Sequence, residues 1–280
     1  MKMNILYCGD ANMADGMLIS TLSLTKHIKG PIHVYALTAS IKAPSRQFAA
    51  LSQDAVDLVQ TQLQKVNPLS SAELFDITDI FNANPPVANL DTMFTPYCML
   101  RLYSDLVPEL PERLLYLDTD IICRESPQHF YDQDMTGTEF VGVLDHYGKW
   151  FFHSQLRALD YVNSGMMLMN MPQIRKTELF ERCRNVCATV KMFMPDQSAL
   201  NKLADTKRLA PRRYNEQRRL HRNTVFQHFT TSFRFFPWVH TLSVKPWEVD
   251  RVHSDLHLHE YDDVLGEYEE IKTKVGQSTH

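Results

Sequence analysis

The chain has 280 residues, 44% of them hydrophobic and 22% charged, and 29 Lys+Arg against 33 Asp+Glu leave a formal net charge of -4. That is a core-forming, soluble composition, which excludes disorder, collagen and coiled coil and argues against nucleic acid as the main partner. None of the nine glycines has G-x-G spacing, and Gly137 and Gly142, at P-loop spacing, are followed by Val143 and Leu144. Dinucleotide and Walker-type nucleotide binding are thereby disfavoured. Five cysteines, an odd number with no C-x-x-C pair, suit a reducing compartment. The apolar run Ile5 to Cys8 is too short for a signal peptide, and no stretch approaches the ~18 apolar residues of a membrane span. Together these features place the protein in the cytoplasm.

Ile5 to Cys8 reads as a buried strand, and Met17, Leu18, Ile19, Leu22 and Leu24 as a helix running to His27-Ile28. His33 to Leu37 is a second strand. A long helical pattern follows through Phe48, Leu51, Val56, Val59 and Leu63 to Asn67-Pro68, and Glu73 to Ile77 is an edge-like strand. Pro96 can open a helix carrying Met99, Leu100 and Leu102 that ends before Pro108. Leu114 to Leu117 is a strongly apolar strand and Phe140 to Leu144 another. Tyr161 to Met171 is a further strand, broken near its start by Asn163-Ser164-Gly165. The pattern then turns helical through Cys187 and again from Pro195 to Leu203, and the last third is aromatic, basic and irregular. Alternating strands and helices predict an α/β sheet with helices on both faces and ligands at the carboxyl ends of strands.

Asp118-x-Asp120 directly follows the strand Leu114 to Leu117, so period-2 alternation would turn both carboxylates to one side. Two close carboxylates repel unless a cation joins them, and oxygen ligands suit Mg²⁺ or Mn²⁺. A solvated strand end is the plainer reading; a second triplet, Asp132-Gln133-Asp134, sits in a polar loop. Asp10 and Asn12 end the first strand, where polar groups read a base or ribose, or start a turn. Arg101 could fork a pyrophosphate or lie at the surface. Asn163-Ser164-Gly165 suggests a bulge or close ligand approach, and Asp196 a cap or first-turn acid. His257 and His259, beside Asp255 and Glu260, lack a metal-site spacing. Arg212-Arg213 and the run Arg218 to Arg222 read as a solvated loop, with an acceptor phosphate or an anionic membrane surface as the other reading.

Taken in order, the segment Ile5 to Asn12, Met99-Leu100-Arg101-Leu102, Leu115 to Asp120, Leu144-Asp145, Asn163-Ser164-Gly165, Asp196-Gln197, His228 and Lys245-Pro246-Trp247 resemble glycosyltransferase family 8, over about Asn4 to Trp247. The resemblance implies a GT-A fold and a retaining hexose transfer, of glucose or galactose, from a UDP-sugar to a glycan, lipid-linked or protein-linked hydroxyl. It also implies Mn²⁺ or Mg²⁺ held by Asp118, Asp120 and His228. Cys8, Asp10 and Asn12 would meet uracil and ribose, Arg101 the donor and Lys245 the diphosphate; Thr119 lies within the metal-binding triplet. Asp145, Asn163, Ser164, Asp196 and Gln197 would line the donor sugar and reacting centre. The resemblance implies either front-face attack, with Gln197, a poor nucleophile, nearest the other face, or a covalent role for Asp145 or Asp196. Lys245 and Arg101 together with the metal supply positive charge where UDP leaves.

Two departures from the family pattern stand out. Sixteen residues, Phe229 to Val244, separate His228 from Lys245, which implies an inserted hairpin or loop and makes His240 a rival third ligand. Met13 stands where some relatives carry an aromatic. The competing functions are a metal-dependent phosphohydrolase with Asp118 as nucleophile, and a sugar-nucleotide-binding protein without turnover. Residues 1–250 are expected to form the transferase domain and 251–280 a helical extension, with Tyr261, Val264, Leu265 and Tyr268 on a packing face and Glu267 to His280 a frayed polar end. Membrane contact would be peripheral, at the inner face.

Overall fold

The computed structural model describes residues 2–92, 95–146, 160–234 and 240–278, with side chains at 232–234, 240, 241 and 278 outside the description. Its strands are β1 Met3–Cys8, β2 Ile32–Thr38, β3 Ile41–Lys42, β4 Gln47–Phe48, β5 Ser71–Asp76, β6 Arg113–Leu117, β7 Ile121–Cys123, β8 Phe140–Leu144, β9 Val162–Asn170, β10 Lys207–Ala210, β11 Phe226–His228, β12 Ser232–Arg234 and β13 His240–Leu242. Among the described residues the main sheet has seven strands in the order β10-β8-β9-β6-β1-β2-β5. β1 pairs in parallel with β2 and β6, β2 with β5 and β8 with β10, whereas β9 runs antiparallel to β6 and β8. The sheet is therefore mixed.

Alternation along the central strands divides the core. Ile5, Tyr7, Leu115 and Leu117 pack on one face, with α1 (Ala14–His27), α2 (Gln53–Val66) and the last helix, Asp262–Ser278. Leu6, Leu114 and Tyr116 pack on the other, against the 3₁₀ helix Pro96–Leu106 and the helices Leu179–Thr189 and Pro195–Leu203. Each fully buried Leu or Ile contributes roughly 1.5–3 kcal/mol, so burial on both faces rather than local propensity fixes the central strands. Asn163-Ser164-Gly165 lies where the β8–β9 register shifts between Gly142 and Val143, so the bulge reading holds.

The structure revises three local expectations. Phe48 lies on β4, and α2 begins only at Gln53, where Ser52 Oγ caps Ala55 N. The segment opened by Pro96 is 3₁₀ throughout rather than α-helical. Residues Glu267 to Ser278 continue the last helix rather than fraying. The arginines of the basic loop are solvated as expected, Arg212, Arg218, Arg219 and Arg222 being exposed, while Tyr214, Asn215, Glu216 and Gln217 between them are buried. The long segment after His228 does contain a hairpin, β12–β13, although 235–239 and the His240 side chain lie outside the described residues. Among the described residues no helix is long and apolar enough to cross a membrane.

Candidate functional site

β6 ends at Leu117, and a turn closed by Ile121 N donating to Asp118 O at 3.2 Å carries Asp118, Thr119 and Asp120 beyond it. A turn, not strand alternation, therefore aims both carboxylates. β7 then pairs with β11 so that His228 faces Ile121, and Phe229 N donates to Asp120 O at 3.0 Å. This pairing sets His228 Nε2 3.1 Å from Asp120 Oδ1 and 3.6 Å from Asp118 Oδ2. Two glycines let the backbones close in. A Cβ on Gly165 would overlap the His228 ring and lie 2.6 Å from Asp118 Oδ2, and one on Gly16 of α1 would lie 2.6 Å from Thr119 O and 2.7 Å from the Trp247 ring.

Lys245 Nζ contacts Asp120 Oδ2 and donates to Phe229 O at 3.0 Å. Burial alone would raise the Asp120 carboxyl, but Lys245 and then His228 pull it well below the usual carboxylate range. Asp120 is thus ionised and poised to bind a cation. Asp118 is held from beneath: Tyr116 OH donates to its Oδ1 at 2.5 Å, and Arg101 Nη2 lies 3.2 Å from the same oxygen. Burial pushes the Tyr116 phenol well up, so it remains a donor.

Arg101 is neither a surface residue nor open to a ligand; only 3% of it is exposed. Its fork meets Cys98 O, Ser164 O, Asp118 and, at 3.5 Å, Asp196 Oδ2, while Tyr116 stacks below at 3.9 Å. It binds the two halves of the site together. Because β9 is antiparallel, it brings the beginning of a strand to the ends of β1 and β6. Ser164 Oγ donates to Asp196 Oδ2 at 2.9 Å, and Ser164 N to Gln197 Oε1 at 2.9 Å. Asp145 Oδ2 accepts from Asn163 Nδ2 at 2.9 Å and Gln197 Nε2 at 3.1 Å. Asp145, Ser164, Asp196 and Gln197 are all buried. Asp196, in the first turn of its helix, spends its carboxylate on Ser164 and Arg101.

At the end of β1, Asp10 accepts from Asn12 N at 3.1 Å and from Asn12 Nδ2 at 2.9 Å, so here the pair forms a turn that caps the 3₁₀ segment Ala11–Met13. Burial pushes the nearby Cys8 thiol up to about 12. Sequence reasoning missed Asn215. This fully buried amide donates to Asn163 Oδ1 at 2.9 Å and meets His228 Nδ1 at 3.1 Å with its oxygen, joining the sugar-side residues to the imidazole. Its position among arginines carries no signal in the sequence. Asp145 and Asn215 also wall a cavity of about 240 Å³ shared with His146, Arg212, Glu216, Gln217 and Arg218.

The donor set fits a divalent ion. One ligand atom each from Asp118, Asp120 and His228 lie within 4.8 Å of one another, and neighbouring ligands of an octahedral ion at ~2.1 Å are about 3 Å apart. His228 Nδ1 is already fixed by Asn215, leaving Nε2 toward the carboxylates.

No curated protein matches the sequence. Among solved structures, an active-site mutant of LgtC is 16% identical, with a TM-score of 0.66 over 97% of this chain and 96% of that one. The galactosyltransferase LgtC in complex with donor and acceptor sugar analogs is likewise 16% identical, with a TM-score of 0.63 over 95% and 96% of the two chains. Mouse xyloside xylosyltransferase 1 is 13% identical, with a TM-score of 0.58 over 81% of this chain and 97% of that one. The fold is thus the GT-A fold of these glycosyltransferases. The family model for glycosyl transferase family 8 matches residues 4–250, and the chain belongs to that family.

Proposed function

We propose that this glycosyltransferase moves a hexose, glucose or galactose, from a UDP-sugar to a glycan, lipid-linked or protein-linked hydroxyl with retention of the anomeric configuration. The observation that carries this reading is the convergence of Asp118, Asp120, His228 and Lys245 at the sheet's carboxyl edge in a family 8 chain. A bound Mn²⁺ or Mg²⁺ would neutralise charge on the diphosphate. Asp118, Asp120 and His228 would hold it, and Lys245, now paired with Asp120, would turn to the phosphates as they arrive. Arg101 is a positioning residue in this scheme, fixing Asp118 and Asp196. Asp10, Asn12 and Cys8 meet the base and ribose in this scheme, which requires the Asp10–Asn12 turn to share its hydrogen bonds with ligand. Asp145, Asn163, Ser164, Asp196 and Gln197 form one hydrogen-bonded wall for the donor sugar, and the cavity beside Asp145 is the approach for the acceptor.

Front-face attack is favoured over a covalent intermediate by one feature. Asp145 and Asp196 are both buried and already hydrogen-bonded, which opposes their use as free nucleophiles. Family membership favours transfer over a phosphohydrolase using Asp118, and the retained carboxylates, imidazole and lysine favour turnover over passive binding. Free cysteines, among the described residues, agree with a cytoplasmic enzyme working at most at the inner membrane face. The test is UDP release from a panel of UDP-sugars with and without Mn²⁺, in parent and Asp120→Asn. Metal-dependent release from one donor, abolished by the substitution, is expected. Release that ignores both the metal and the substitution would overturn the reading.

A further inference from the structure

We propose a second metal site, for Zn²⁺, formed by His253, His259 and Asp262 where the helix Val249–Ser254 meets the last helix. His253 Nε2 lies 2.8 Å from Asp262 Oδ1 and His259 Nδ1 3.2 Å from Asp262 Oδ2, so the two imidazoles address the two oxygens of one carboxylate. The rings are stacked, 4.7 Å between centroids and 12° from parallel. One ligand atom from each residue lies within 4.8 Å of the others, and ligands of a tetrahedral Zn²⁺ at ~2.0–2.1 Å stand about 3.3 Å apart. Two imidazoles and one carboxylate are a zinc donor set with a fourth position for water, whereas Mg²⁺ and Mn²⁺ favour oxygen.

Two further observations set this cluster apart from an ordinary surface ion pair. Asp262 opens the last helix but does not cap it; both its oxygens go to the histidines, and the first backbone donors of the helix go to Tyr261 O. The chain also adopts an unfavourable conformation to build the cluster. His257 has φ 53, a left-handed turn by a residue other than glycine, that folds His259 back over His253. Strain of this kind persists where surrounding structure or a ligand requires it. The sequence hid the site because His253 and Asp262 are nine residues apart with no regular spacing, while the conspicuous His257 takes no part.

The site bears on the transferase centre through one residue. Tyr261, between His259 and Asp262 in sequence, donates from its OH to Gln227 Oε1 at 2.6 Å, and its ring lies 6.1 Å from Phe229. Gln227 and Phe229 flank His228, so zinc would pin the segment that supports that strand.

The test is calorimetric titration of chelator-treated full-length protein with Zn²⁺, on an Asp120→Asn background that disables the other cluster. His259 is 66% exposed, so His259→Ala should leave the fold intact. One equivalent is expected to bind to Asp120→Asn, with affinity falling at least tenfold on adding His259→Ala and with Zn²⁺ raising the melting temperature only when His259 is present. Absence of zinc binding in Asp120→Asn, or binding undiminished by His259→Ala, would overturn the proposal. Neither result depends on transferase activity.

Discussion

Gly165→Ala isolates the close approach that assembles the cluster of Asp118, Asp120 and His228. The added Cβ would lie 2.6 Å from Asp118 Oδ2 and 3.0 Å from His228 Nδ1, where ordinary contact begins near 3.4 Å. Asp118 would therefore retreat by about 0.8 Å, and the His228 ring, which the methyl overlaps, would have to turn or slide as well. Neither can yield freely: Tyr116 and Arg101 hold Asp118, and Asn215 holds His228. Overpacking of this sort costs about 1–3 kcal/mol, a modest loss for the fold. A displacement near 1 Å at a reacting centre, by contrast, costs on the order of 10²-fold in rate. The expected signature is a variant that melts a few degrees lower, binds Mn²⁺ far more weakly, and releases UDP about a hundredfold more slowly. Melting, Mn²⁺ titration and UDP release on one preparation check all three. Parent-like Mn²⁺ affinity and turnover would refute the assignment of Asp118 and His228 as joint ligands.

Removing Asn215 deletes the hydrogen bond that orients His228, and loss of such a partner typically costs 10–100-fold in metal affinity; Asn215→Ala should show this by titration while keeping a cooperative melt, and an affinity within twofold of the parent would count against the role. Arg101→Leu leaves Asp118 and Asp196 facing one another without their shared cation. Breaking a buried pair in this way destabilises by about 3–5 kcal/mol, to be read by chemical denaturation, and a loss below about 1 kcal/mol would mean that Arg101 does not hold the site together.

The parts of this molecule that were legible in the sequence share a property: they are local. The apolar run Leu114 to Leu117 announces its strand because burial on both faces demands it, and Asp118-x-Asp120 is conspicuous because it interrupts that run. The order of the family motifs then supplied the fold and named the remaining candidate residues. What residue patterns apart from the resemblance did not show depends on pairing across distance. His228 meets Asp120 only because β11 pairs with β7, a contact between segments about a hundred residues apart. Arg101 read equally well as a pyrophosphate fork or a surface residue, and its burial becomes tolerable only with four acceptors gathered from four separate segments. Tyr116 counted as an apolar strand residue, yet its hydroxyl is the donor nearest Asp118. Period-2 logic failed at Leu117 because it holds only while a strand continues.

The family match ends at residue 250, but the hydrophobic core does not. Tyr261, Val264, Leu265, Tyr268 and Ile271 join the same cluster as β1 and α1, and Lys26 of α1 pairs with Asp263 and Glu267. The boundary drawn by resemblance and the boundary drawn by folding thus differ by about one helix. A polypeptide cut at the former would expose a strip of α1 and leave Gln227 without its phenol, so its loss of activity would report on folding rather than on chemistry.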